Sequence, residues 1–223
     1  MNKNDARNSL KQALVDVRSA YRLLYAYHKR IRGIIEIIEG GLGEELKFWE
    51  WSPKRWNKPS RKLTSNNWTW DCFPFHSYSI WYSQTGGNEK PKKGDILLHL
   101  VIDTDSGFPD IMSSDVDPID SKNFVSVSCD GSISKLTVNL VRCEIDGNEK
   151  TWDSEDYDSD DWLNYPILQS HGFNLYTKMF DLCTLYDAKQ VHKELDPLVN
   201  IINHKQNCTY DEIAAALRKF FVI

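Results

Sequence analysis

Between residues 9 and 39, apolar and aromatic side chains recur at alternating steps of four and three. Leu10, Leu14, Val17, Tyr21, Leu24, His28, Ile31, Ile35 and Ile38 form one seam of more than four heptads. A second seam runs beside it through Ala13, Val17, Ala20, Leu24, Tyr27, Ile31, Ile34 and Ile38. Together they give an apolar stripe wider than a two-stranded coil requires. The pattern predicts a helix of about 30 residues, roughly 45 Å long at the α-helical rise. Such a helix is expected to lie across a sheet or against other helices, with a dimeric coiled coil as the alternative. Gly40-Gly41 is expected to end it as a C-cap pair.

The rest of the chain reads as strands followed by helices. The alternation of His76, Tyr78, Ile80 and Tyr82 predicts a strand over about 76–84. Residues 95–103 (DILLHLVID) are nearly continuous apolar and predict a central strand. Phe124–Cys129 and Ser132–Ile145 flank Asp130-Gly131, which predicts a type I′ hairpin pairing Val125 with Leu136. Residues 173–186 predict another strand. Asp187 with Gln190 resembles a capping box for a helix at about 188–195, and Asp196-Pro197 is expected to restart a helix with Pro197 in its first turn. Thr209-x-x-Glu212 is a cleaner capping box that opens a terminal helix using Ile213, Leu217, Phe220 and Phe221.

The expected fold class is therefore α+β. A long N-terminal amphipathic helix (1–46) packs on a mostly antiparallel sheet of about 5–6 strands. The sheet belongs to an aromatic-rich loop and β-meander (47–186), and C-terminal helices (187–223) follow. With no internal repeat and no Gly/Ser linker, residues 1–223 are expected to form one domain.

Charge is segregated along the chain. Residues 1–63 hold 14 Lys/Arg against 7 Asp/Glu, whereas residues 95–165 hold 4 against 17. The net charge of −5 thus conceals a segment at +7 and another at −13, with +1 over residues 64–94 and 0 over residues 166–223. Six of the eight tryptophans fall between residues 47 and 82. Within that stretch Trp51, Lys54, Arg55, Trp56, Lys58, Arg61 and Lys62 make a basic–aromatic loop. Lysine and arginine neutralise phosphates and an exposed indole stacks on an unpaired base, so this loop is the candidate contact for nucleic acid or another partner. The run DSEDYDSDD supplies Asp153, Glu155, Asp156, Asp158, Asp160 and Asp161 as a candidate acidic face for a basic protein.

Motifs for specific chemistry are weak. Pro109-Asp110 followed by Asp120-Ser121-Lys122 matches the PD…(D/E)xK pattern of metal-dependent nucleases, but the span reads as a loop. His99, Asp103 and Asp105 share one face if their strand continues, and with Asp110 and Asp120 they are the candidate ligands for a divalent metal. Arg22-x5-His28 resembles the Arg…His motif of HEPN-type ribonucleases, yet the spacing puts Arg22 on a different helical face, and HEPN domains are all-helical. Neither the Asp115/Asp117/Asp120 group nor the Asp153–Asp161 run fits an EF-hand loop. No Walker A, GxGxxG, GxSxG or HExxH motif occurs.

The five cysteines are odd in number and widely spaced, which argues against a disulfide framework. The polar N-terminus carries no secretory h-region and no stretch is apolar enough to span a membrane, so a cytoplasmic protein is expected. The function expected on these grounds is that of an intracellular non-enzymatic binding or regulatory protein, inhibitor- or immunity-like, that needs no cofactor. It would act through its basic and acidic surfaces on a protein partner, or on a second copy through the 9–39 helix or opposite charge faces. The alternative is a nucleic-acid-binding protein or metal-dependent nuclease that uses the basic–aromatic loop and the aspartates.

Overall fold

The structure is a computed structural model and describes residues 3–42, 46–53, 77–84, 90–106, 128–146, 152, 167–170, 172–204 and 209–221. It opens with α1 (Lys3–Gly41), followed by the strands β1 (Lys47–Pro53), β2 (Ser77–Ser83), β3 (Ile96–Asp103), β4 (Lys135–Cys143), β5 (Ile167–Ser170) and β6 (Phe173–Asp181). Two helices close the chain, α2 (Ala188–His204) and α3 (Tyr210–Phe221). The strands form one sheet in the order β1-β2-β3-β4-β6-β5, and every neighbouring pair is antiparallel. This is the α+β architecture that the alternation of patterns predicts.

The helices cover one face of the sheet. Side chains two residues apart share a face, so Tyr78, Ile80 and Tyr82 line up with Ile96, Leu98, Leu100 and Ile102, then with Leu136, Val138 and Leu140. They form one buried cluster with Ile31, Ile34, Ile35 and Ile38 of α1, with Val191, Leu195, Leu198 and Ile202 of α2, and with Ile213, Leu217, Phe220 and Phe221 of α3. On the opposite face Leu97, Val141, Cys143, Phe173 and Leu175 cluster around Trp152. Apolar residues on both faces explain why β3 reads as an unbroken hydrophobic run: it is an interior strand, flanked by β2 and β4.

Four local expectations are revised. The predicted hairpin at Asp130-Gly131 is not formed. Cys129–Gly131 is a short 3-10 turn, and β4 has both edges occupied, with Leu136 opposite Ile102 and Phe180. A strand has only two hydrogen-bonding edges, so none is left for residues 124–129, of which 124–127 lie outside the described residues. Gly40 and Gly41 do not cap α1 in a left-handed conformation, since both are helical and the positive-φ glycines described are Gly94 and Gly172. Gly41 instead allows close packing: a Cβ there would sit 2.8 Å from Val199 Cγ1. Asn203 Nδ2 donates to the Gly41 carbonyl at 2.6 Å, so α2 satisfies the end of α1.

The strand predicted over 173–186 stops at Asp181. The Asp181 carboxylate accepts from Cys183 N and caps a 3-10 turn over Leu182–Leu185. Residues 188–204 form one helix with Pro197 inside it, not two helices. Proline cannot bond the carbonyl of Lys193, but both residues are exposed, so that position is open to water.

The capping signals are realised to different degrees. Asp187 Oδ1 accepts from Gln190 N at 2.7 Å, but the Gln190 side chain turns to Glu194 and does not close a reciprocal box. At α3 both halves form: Thr209 N donates to Glu212 Oε2 at 2.8 Å, and Glu212 N donates to Thr209 Oγ1 at 3.3 Å. The other end of α3 is held by Lys178. Its ammonium donates to the Phe220 carbonyl at 3.0 Å and sits 4.4 Å from the Phe220 ring centroid. A cation there complements the helix dipole.

Candidate functional site

The most informative surface is on α1, whose apolar seam is divided in two. Ile31, Ile34, Ile35 and Ile38 are almost fully buried, whereas Leu10 is 61% exposed, Leu14 49%, Val17 51% and Tyr21 65%. Every side chain described from Asp5 to Leu23 is exposed, Leu24 is half-buried, and firm packing begins near Tyr27. The expectation that the whole helix lies on the sheet therefore holds only for its second half. The first half projects for about 33 Å at the α-helical rise. Its seam begins at Arg7 and is rimmed by Lys11 and Arg18, and Asp5 and Asp16 lie on the outer face.

A second feature is a buried polar row that crosses four strands on the face away from the helices. Trp81, His99, Asn139 and Thr177 are direct register partners on β2, β3, β4 and β6. Thr177 Oγ1 donates to Asn139 Oδ1 at 2.9 Å, Asn139 Nδ2 donates to His99 Nδ1 at 3.3 Å, and His99 Nε2 meets Ser79 Oγ at 2.9 Å. Since Nδ1 accepts, the imidazole carries its proton on Nε2 and donates to the serine. Near the end of these strands Asp103 accepts from Ser77 Oγ and pairs with Lys135 Nζ at 3.4 Å.

This arrangement bears on the candidate ligands for a metal. His99 and Asp103 do share a face, as the strand spacing predicts. Both ring nitrogens of His99 and both oxygens of Asp103 are engaged by Ser79, Asn139, Ser77 and Lys135. Among the described residues no group of three or more His, Cys, Asp or Glu is placed to hold a metal ion. Asp105 is half-buried. Asp110 and Asp120 lie outside the described residues, as do Lys54, Arg55, Trp56, Lys58, Arg61 and Lys62 of the basic–aromatic loop. The same holds for Asp153, Glu155, Asp156, Asp158, Asp160 and Asp161 of the acidic run.

Trp51, the first member of the basic–aromatic group, is on edge strand β1 and 41% exposed, 6.2 Å from the Tyr78 ring. Phe48 is 57% exposed on the same strand. His28 is half-buried on the seam, its pKa lowered by burial, and its ring meets Tyr27 edge-on. Arg22 is exposed.

Several phenols near the core are held neutral. Burial raises the phenols of Tyr27, Tyr78 and Tyr82, and Tyr82 also donates to Glu39 Oε1 at 2.8 Å. On the surface, a hydrogen bond with Asp181 raises the exposed Cys183 thiol. Sequence reasoning missed the polar row. Ser79, Asn139 and Thr177 are scattered in the chain, and only the strand register brings them together.

The architecture is thus that of an α+β protein with helices on one sheet face and a projecting amphipathic helix. The chain belongs to the PM0109 family, whose model matches residues 7–207. No curated protein and no solved structure matches it. No helix among the described residues is long and apolar enough to cross a membrane.

Proposed function

We propose that this protein is a binding protein whose contact surface is the projecting half of α1. One observation carries this reading: Leu10, Leu14, Val17 and Tyr21 stand exposed at heptad spacing on a helix that buries the continuation of the same seam in its own core. A helix gains most of its stability in a protein by packing its apolar face. A contiguous exposed apolar stripe rimmed by charge is the surface that a protein partner covers. The basic–aromatic loop and the acidic run remain proposed sites for electrostatic contacts with a partner.

A photo-crosslinking residue placed at Leu14 of the full chain, expressed in cells, tests the reading. A protein adduct that disappears when Leu10 and Val17 are both changed to glutamate supports it. Absence of any protein adduct at Leu14 overturns it, whatever happens elsewhere on the surface.

A further inference from the structure

We infer that the partner of the projecting half of α1 is a second copy of this chain, paired antiparallel. The inference rests on the reading that this half is a protein-contact surface. It comes from three relationships on the helix.

The first is phase. The seam exposed at residues 10–21 continues through half-buried Leu24 into the seam buried at 31–38. The body of the chain therefore lies on the same side of α1 as any helix that covers the exposed seam. A parallel partner would run into that body, whereas an antiparallel partner ends where the body begins.

The second is register. Leu14 and Tyr21 occupy the a positions, and Leu10, Val17 and Leu24 the d positions. Antiparallel pairing sets a against d. Leu14 then meets the partner's Val17, and Leu10 meets the partner's Tyr21, with Leu24 against the aliphatic stem of the partner's Arg7. This register is centred between residues 15 and 16, which is the midpoint of the stretch from Asp5 to Ala26, where every side chain described is exposed except half-buried Leu24. It covers the seam of both copies completely and places the start of each helix opposite His28 of the other.

The third is the flanks. The g positions 13 and 20 are both alanine, so Ala13 faces the partner's Ala20 and the backbones approach closely on that side. The e positions 11 and 18 are both basic, so Lys11 faces the partner's Arg18 on the other side, twice by symmetry. This one unfavourable pair gives the inference a test of definite sign.

Sedimentation equilibrium of the full chain is expected to show a dimer of twice the 25.9 kDa chain mass. Leu14→Glu is expected to abolish the dimer and leave a folded monomer. Lys11→Glu turns both repulsive pairs into attractive ones, so it is expected to tighten the dimer about tenfold, and added salt is expected to tighten the wild-type dimer.

A monomer at every concentration overturns the inference. So does a dimer that survives Leu14→Glu or is weakened by Lys11→Glu. Monomeric protein that binds vesicles containing anionic lipid through the same seam also overturns it. These results are separable from failure of the broader reading: a foreign protein crosslinked at Leu14 by a monomeric chain refutes self-pairing alone, and loss of all protein adducts refutes both.

Discussion

The Trp81 indole lies flat on the His99 imidazole, with ring centroids 3.4 Å apart and planes 4° from parallel. The stack closes one side of a histidine whose two nitrogens are fixed by Ser79 and Asn139. Asn139 is the centre of this chain of bonds, because it accepts from Thr177 and donates to His99. Buried polar rows of this kind hold strands in register when every member is satisfied, and they are costly when one is removed.

Asn139→Ala leaves the Thr177 hydroxyl and the His99 Nδ1 without their shared partner. Each orphaned buried group costs about 1–3 kcal/mol, so a loss of about 2–5 kcal/mol is expected in urea unfolding. Thr177→Val removes only the terminal donor and is expected to cost about 1 kcal/mol. The double variant should fall short of the sum, since the second change removes a group the first has already orphaned. Full additivity would show that the row does not act as a unit.

The division of α1 predicts opposite outcomes for residues of one seam. Ile35→Ala should cost about 2–5 kcal/mol, because it opens a cavity between α1, the sheet and α2. Leu14→Gln should leave the unfolding midpoint of the body unchanged in dilute protein. Tryptophan fluorescence reads this cleanly, as all eight tryptophans lie beyond residue 46. A large drop for Leu14→Gln would place that half of the helix against the body.

The glycines of α1 differ in their surroundings. A Cβ at Gly33 or Gly40 meets nothing within 4 Å, and both positions are helical. Gly33→Ala and Gly40→Ala should each stabilise the protein by about 0.5–1 kcal/mol through lower chain entropy in the unfolded state. Gly41→Ala drives a methyl group into Val199 and should destabilise, with recovery in Gly41→Ala/Val199→Ala. Thermal unfolding of the four variants checks the set.

The capping box of α3 carries a pH signature. Hydrogen bonds from the Thr209 backbone and then its side chain hold the Glu212 carboxyl below its ordinary value. The folded state therefore favours the carboxylate. Its contribution is complete above the ordinary glutamate range and is lost as the pH falls through the lowered value. Glu212→Gln should lower the thermal midpoint at pH 7, and the two proteins should converge at acid pH once the carboxyl is protonated in the folded state as well. A difference that stays constant across this range would rule out the carboxylate as its source.

Much of the fold was legible in the residues themselves. The heptad spacing of α1, the alternation in β2, the apolar run of β3 and the Thr209–Glu212 box each record a demand made within a few residues. Period, capping and burial of one face are local properties, and local sequence carries them. The hairpin at Asp130-Gly131 misled for the same reason. The turn chemistry was sound in isolation, but β3 and β6 occupy the two edges of β4. Gly40-Gly41 marked the end of α1 correctly, but not as a left-handed cap, because the constraint on Gly41 comes from Val199, far away in the chain.

Sequence by itself determined that residues 9–39 make an amphipathic helix, that residues 95–103 make a central strand, and that the chain is α+β. Only the tertiary structure decided that the seam of α1 is buried from about Tyr27 onward and exposed before it. It also decided that Ser79, His99, Asn139 and Thr177 form one row. A hydrophobic pattern states which side chains must leave water but does not name what covers them. That choice is made by strand register and by where the body of the protein ends.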